Sequence, residues 1–303
     1  MTTSHLLAGV YAAAVTPLKD ASTLDLDSVP ALANFLTDRG CHGIVLFGTT
    51  GEGPSLSAAT RAAVLGALPG AGLDPARDIV AGVMAPSAGD AIEQVRAARA
   101  HGVRRFLLAP PFYFKGVSAE GLGRWFHEAI GAFDGENVEF LLYHIPSVTS
   151  VPLPIELVAD LAATHGPLVR GVKDSSGDWS YSAKLLGLAS KLTILIGDER
   201  HLAQAVKLGA EGAISGCANF MPDVLLPLAN EGRDDPRVRQ VVDLLLRHPV
   251  TPAVKAAQAW LQRDPSWLAV APPLVPIGER DAEAIGRGCA TLLRGERVAV
   301  SGD

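Results

Sequence analysis

The chain has 303 residues, 48% of them hydrophobic, and a formal net charge of -6. That length can bury a sizeable core in one large α/β domain, and the acidic balance gives no electrostatic reason to expect nucleic acid or an anionic membrane as a partner. Three cysteines (Cys41, Cys217, Cys289) without CxxC spacing argue against a disulfide framework; with no leader pattern in Met1–His5 and no apolar run of membrane-spanning length, they predict a cytoplasmic protein.

Short β-rich apolar runs alternate with longer helical patterns. Gly9–Val15 predicts a first strand, followed beyond Asp25 and Asp27 by a helix with Val29, Leu32, Phe35 and Leu36 on one face. Gly43–Phe47 predicts a second strand, closed by Gly48-Thr49-Thr50-Gly51-Glu52, and a helix over Ser57–Leu68. Strands follow over Asp78–Met84, Arg104–Ala109 and Val138–Tyr143, separated by helices over Ala88–Ala100 and Ser118–Phe133. A proline-rich stretch, Ile145–Pro154, leads to a helix over Ile155–His165 and a sixth strand, Leu168–Lys173. A helix over Ser180–Ser190, a strand over Leu192–Ile196, a helix over His201–Leu208 and a short strand over Gly212–Ser215 complete the alternation. From Met221 onward the pattern is helical, over Pro222–Asn230, Pro236–Leu246, Thr251–Gln262 and Asp281–Leu293.

Strict alternation implies parallel strands, because each helix serves as a crossover. Eight such units predict a closed (β/α)8 TIM barrel over residues 1–232, with a C-terminal helical extension over 233–303 that packs on the barrel or on a neighbouring subunit. No Gly-x-Gly-x-x-Gly follows the first strand, which argues against an open dinucleotide-binding sheet.

In such barrels the chemistry collects at the carboxyl ends of the strands, and those ends carry Thr49, Thr50, Tyr113, Tyr143, Lys173, Asp198 and Ser215. Lys173 ends a buried run. It either reaches out to solvent as a cation or supplies the amine that Schiff-base chemistry on a carbonyl requires. Gly48–Glu52 is either a plain turn or a loop whose small residues, Gly48 and Gly51 among them, expose N–H groups able to hold a carboxylate. Asp198 and Glu199 either cap the following helix or accept hydrogen bonds from substrate hydroxyls. His144, beside Tyr143, should point to the opposite face and be structural. The histidines lack metal-ligand spacing, and nothing nearby in sequence would activate Cys217, so neither a metal nor another bound cofactor is expected.

Gly-Thr-Thr-Gly-Glu after strand two, Pro-Pro-Phe-Tyr (Pro110–Tyr113) after strand four, and Leu-Tyr-His-Ile-Pro at strand five occur together with Gly-Val-Lys-Asp-Ser-Ser-Gly at strand six and Gly-Ala-Glu-Gly-Ala-Ile-Ser at strand eight. With these motifs the chain resembles the dihydrodipicolinate synthase/N-acetylneuraminate lyase family of class I, pyruvate-dependent aldolases, from about Gly9 to Pro276. The resemblance implies that Lys173 forms the Schiff base with pyruvate or a 2-keto acid and that Tyr143 is the general acid/base. It implies that Thr49 relays protons between Tyr143 and Tyr113, the latter reaching in from a second subunit of a homodimer or homotetramer. Thr50 and its neighbouring N–H groups would bind the keto-acid carboxylate.

The chain departs from the resemblance at Val148, where synthases of this family carry an arginine for the carboxylate of aspartate semialdehyde. Pro54, Ala58 and Phe112, at positions tied to lysine feedback inhibition, are also altered. The expectation is therefore a lyase or aldolase joining or releasing pyruvate and an aldehyde, with a 2-keto-3-deoxy sugar acid as substrate and Asp198, Glu199 and Ser215 lining its site. The alternatives are the synthase reaction itself, dehydration of the same sugar acid, and a catalytically idle keto-acid-binding protein.

Overall fold

The computed structural model describes residues 7–294; residues 1–6, with the Met1–His5 stretch, and residues 295–303 of the expected extension lie outside the described residues. Eight parallel strands close into a barrel in chain order: β1 (Gly9–Ala13), β2 (Gly43–Leu46), β3 (Ile79–Val83), β4 (Arg105–Leu108), β5 (Glu139–His144), β6 (Val169–Asp174), β7 (Thr193–Ile196) and β8 (Gly212–Ser215), with β8 paired back to β1. The seven crossover helices are α1 (Ser28–Asp38), α2 (Ala58–Ala67), α3 (Ala88–Arg99), α4 (Ala119–Gly131), α5 (Ile155–Thr164), α6 (Trp179–Leu185) and α7 (Leu202–Lys207), and α8 (Pro222–Glu231) follows the last strand. The fold is a (β/α)8 TIM barrel, as the alternation predicts. The first strand ends two residues earlier than Val15. The helix after β6 turns into a 3-10 segment at Leu186–Leu188, where Gly187 lowers helical preference.

Local signals set the helix starts. Ser57, Ser87 and Ser118 stand at the N-caps of α2, α3 and α4, each accepting a hydrogen bond from the backbone N–H three residues on. The strands then sort their side chains by alternation. Leu141 and Tyr143 enter the apolar filling of the barrel with Val45, Val80, Leu107 and Leu195, while Leu142 joins the larger core between barrel and helices.

Three more helices follow, α9 (Pro236–Leu245), α10 (Val250–Gln262) and α11 (Glu279–Leu293). Val241, Val242, Val254 and Ile285 from them belong to the same continuous core as the barrel helices, so these elements pack on the barrel. Their N-terminal parts lie over the carboxyl ends of the strands: Thr251 donates its hydroxyl to the Thr49 carbonyl at 3.1 Å, and Arg200, after β7, bonds Asp243 of α9 at 2.9 Å. Among the described residues no helix is long and apolar enough to cross a membrane.

Candidate active site

Lys173 and Tyr143 are register partners on β6 and β5, so the parallel pairing itself sets their side chains next to one another, both pointing inward. Lys173 Nζ donates to Tyr143 Oη at 3.2 Å, and both residues are buried. Thr49 Oγ1 lies 3.3 Å from the same phenolic oxygen, giving a continuous path from amine through phenol to hydroxyl. Room for the lysine stem comes from Gly197 at the end of β7, where an added Cβ would stand 3.1 Å from Lys173 Cε and 1.9 Å from Ser175 Oγ. Any side chain at 197 would displace both.

The loop from Gly48 to Glu52 is held by its carbonyls. Gly48 accepts from the Gly53 N–H, Thr49 from Glu52 N–H and Thr251 Oγ1, and Gly51 from Thr16 Oγ1. The loop is entered through Phe47 and left through Glu52, both with positive φ (61° and 57°), a conformation that non-glycine residues keep only where the surroundings enforce it. With those carbonyls occupied, the N–H groups of Thr49, Thr50 and Gly51 have no acceptor among the described residues, although Thr50 and Gly51 are buried. Buried donors call for a partner. A carboxylate beside Lys173 would accept from them.

The enforcement of this loop has a source that inspection of the strand ends missed. Glu52 turns away from the cavity, and its Oε1 lies 2.5 Å from Lys255 Nζ of α10, both side chains shut off from solvent. Glu52 Oε2 accepts from the Ala271 N–H at 2.6 Å, and Lys255 Nζ donates to the Ala269 carbonyl at 2.6 Å. Burial pulls the Lys255 amine below its usual range, against the opposing pull of Glu52. The available sequence signal was a lone lysine in the Ala/Val-rich run Thr251–Ala259, since a fully buried lysine needs a paired carboxylate.

The remaining expected residues fall in different places. Asp198 and Glu199 border the cavity, but their oxygens are engaged by the protein. Asp198 forms a fork with Arg200 (Oδ1 to Nε 2.9 Å, Oδ2 to Nη2 2.7 Å). Burial works to raise its carboxyl pKa, and the hydrogen bonds and charge of Arg200 outweigh it, holding the group below the usual range. Glu199 accepts from Ser215 Oγ at 2.5 Å and is pushed upward by burial. Ser215 also accepts from the Ala218 N–H and is fully buried, so it lies behind the cavity wall and holds Glu199. Of the two readings of the acidic pair, Asp198 follows the capping one, accepting from the Arg200 N–H at 3.1 Å. Tyr113 is 72% exposed and packs edge-on against an equally exposed Phe114, away from Thr49 of its own chain. His144 points to the outer layer as expected, where it bonds Asp174 at 3.1 Å and stacks on Tyr181. Cys217 is buried with its thiol pKa raised by that burial, which leaves it unreactive. No group of three or more His, Cys, Asp or Glu among the described residues could hold a metal ion.

The closed parallel barrel gathers a buried lysine and tyrosine and a half-buried threonine at its strand carboxyl ends, the place where barrel enzymes hold their chemistry. The chain belongs to the dihydrodipicolinate synthetase family, whose model matches residues 6–285. Among solved structures it is similar to the dihydrodipicolinate synthase of Agrobacterium tumefaciens str. C58, at 44% identity and a TM-score of 0.91 over 95% of this chain and 100% of that one. It is also similar to YagE, a prophage protein of this family from E. coli K12 crystallised in complex with pyruvate, at 25% identity and a TM-score of 0.85 over 95% and 99% of the two chains. An uncharacterized DapA-like lyase of Chloroflexus aurantiacus is 33% identical over 295 residues, 95% of this chain and 97% of that protein.

Proposed function

We propose that the protein is a class I lyase that forms a Schiff base between Lys173 and pyruvate, or the corresponding 2-keto acid, and makes or breaks the neighbouring carbon–carbon bond to an aldehyde. The observation that carries this reading is the Lys173–Tyr143–Thr49 chain at the barrel mouth, with contacts of 3.2 and 3.3 Å. In it, the lysine amine attacks the keto carbon, water leaves, and the resulting cationic imine draws electrons from the bond to be cleaved. Tyr143 moves the protons that imine formation and the aldehyde oxygen require. The free N–H groups around Thr50 are suited to hold the keto-acid carboxylate, an electrostatic role. No cofactor beyond the covalent lysine adduct is needed for this chemistry.

Tyr113 is exposed and makes no hydrogen bond to Thr49 of its own chain, so the reading includes a homodimer or a higher homo-oligomer in which a second copy supplies it. The exposed Tyr113–Phe114 pair is the kind of aromatic surface that subunit interfaces bury. The synthase alternative requires a cation for the second carboxylate; among the described residues Lys173 is the cationic side chain lining this cavity, and Lys115 lines the adjoining pocket that shares Thr49, Ile145 and Val148. The sugar-acid expectation, for lyase and dehydratase alike, relied on acceptors at Asp198 and Glu199, and those are bound to Arg200 and Ser215. An idle binder has no use for the phenol between amine and hydroxyl.

Borohydride reduction in the presence of pyruvate, followed by peptide mass spectrometry, tests the reading. A reduced pyruvate adduct on Lys173 is the expected result. A folded protein with no adduct there sinks it.

A further inference from the structure

The cavity above Lys173 measures about 180 Å³, and its chemistry changes sharply from floor to rim. The floor is polar, with Lys173, Tyr143, Thr49 and Thr50. The rim toward solvent is formed by Val148 after β5, Leu246 just beyond α9 and Val250 of α10, with the buried Val242 of α9 and Val254 of α10 lining the wall beneath. Val148, Leu246 and Val250 are 58%, 48% and 42% exposed. Three large aliphatic side chains thus stand open around the entrance to a polar site. The acidic groups on the opposite side, Asp198 and Glu199, are neutralised or hydrogen-bonded from within the protein. Ser147 and Ser175 are the polar exceptions beside it, two neutral hydroxyls that offer a second carboxylate no cation.

We infer that the second substrate is an uncharged aldehyde with an apolar substituent, aliphatic or aromatic, and that Val148, Leu246 and Val250 select it. The inference rests on the Schiff-base reading above and extends it to the partner molecule. Tyr143, left as phenolate when imine formation expels water, takes a methyl proton from the imine. The enamine carbon so formed attacks the aldehyde carbon, the C=O π pair moves to oxygen as the new C–C bond forms, and that oxygen takes the proton back from Tyr143. Hydrolysis of the imine with one water then frees a 4-hydroxy-2-keto acid and regenerates the lysine. The apolar tail of that product lies on the aliphatic rim, its hydroxyl near the Tyr143 phenol. A charged or polyhydroxylated tail would leave its polar groups facing valine and leucine, losing water without gaining partners. The cavity is smaller than the roughly 300–1,000 Å³ typical of drug-sized ligands, which favours short chains or a single ring.

The test compares kcat/KM for pyruvate with propanal, butanal, pentanal and benzaldehyde against glyceraldehyde and aspartate semialdehyde, with the Lys173 adduct checked by borohydride trapping in the same preparation. Expected is a rise of roughly fourfold per methylene along the aliphatic series until the cavity fills, reflecting burial of each added group. The apolar aldehydes should exceed glyceraldehyde and the semialdehyde by at least about tenfold. In Leu246→Asp and in Val250→Asp, both at exposed positions, the ratio of butanal to glyceraldehyde should fall by a similar factor. An adduct at Lys173 with glyceraldehyde or the semialdehyde preferred overturns the inference and leaves the Schiff-base reading standing. So does a ratio that neither variant moves, or a loss of subunit association in both, which would make the rim an interface. Absence of the adduct overturns both.

Discussion

Lys173 and Tyr143 occupy the same level of two adjacent parallel strands, and the amine donates to the phenol across the 3.2 Å between them. Because the strand pairing fixes this contact, no loop has to close to assemble it. Replacing Lys173 by Ala should abolish turnover and adduct formation together. Tyr143→Phe keeps the ring against the amine and removes only the hydroxyl. It should lower kcat by about 10²- to 10⁴-fold, the usual scale for a lost general acid/base. Slow adduct formation should persist in that variant. Single-turnover trapping rates beside steady-state kcat separate the two effects, and a Tyr143→Phe enzyme with undiminished kcat would remove the phenol from the mechanism.

The barrel and the placing of Lys173 beside Tyr143 at its strand ends were legible in the sequence because both depend on local patterns. Apolar runs of strand length alternate with amphipathic helices, and Lys173 and Tyr143 end two of those runs. Contacts between segments distant in sequence were less legible. Nothing in Gly-Thr-Thr-Gly-Glu shows that Glu52 faces Lys255, 203 positions away in the numbering. The helix-capping option for Asp198 was visible, but the tie from its partner Arg200 onward to Asp243 depends on how α9 sits over the barrel. The apolar rim is of the same kind, because Leu246 and Val250 flank a turn that reads as plain surface until it is placed above β6.

The Glu52–Lys255 pair fixes the loop that carries Thr49 and Thr50. Lys255→Met leaves the Glu52 carboxylate buried without its cation, a loss on the order of 3–5 kcal/mol for a buried pair broken on one side. Denaturant unfolding should register that loss, and kcat should fall because the loop loses its anchor. The double variant Glu52→Gln/Lys255→Met should recover part of the stability, since it no longer buries a charge. Additive losses in the double variant would show that the two residues act separately.

Glu199 gives a pH signature. Its carboxyl pKa is raised in the folded protein by burial, above the ordinary value of 4.5. Below that value both folded and unfolded chains are protonated and the group has no effect. As pH rises, the unfolded chain releases the proton first, so this group removes stability at up to about 1.4 kcal/mol per pH unit until the folded carboxyl also ionises. Glu199→Gln retains an acceptor for Ser215 without the ionisation. Its melting temperature should match the wild type near pH 4 and exceed it at pH 7 to 8. A gap that stays constant across this range would mean the carboxyl is not strained by burial.

The exposure of Tyr113 yields a prediction that depends on two chains at once. If one subunit's Tyr113 completes the proton path at the Lys173 of another, two inactive variants can repair each other. Lys173→Ala carries an intact Tyr113, and Tyr113→Ala carries an intact Lys173. Each alone should be nearly inactive, the first for lack of the amine and the second for lack of the relay. When equal amounts are dissociated and reassembled, half of the pairs are mixed, and each mixed pair holds one site with both groups. Activity should therefore return to about a quarter of the wild-type value per chain in an isologous pair, where each surface serves both partners in the same way. Sedimentation of the mixture fixes the assembly state, so that failure to reassociate cannot pass for failure to complement. A properly assembled mixture without recovered activity would assign Tyr113 to the interface alone and leave Thr49 to exchange its proton with solvent.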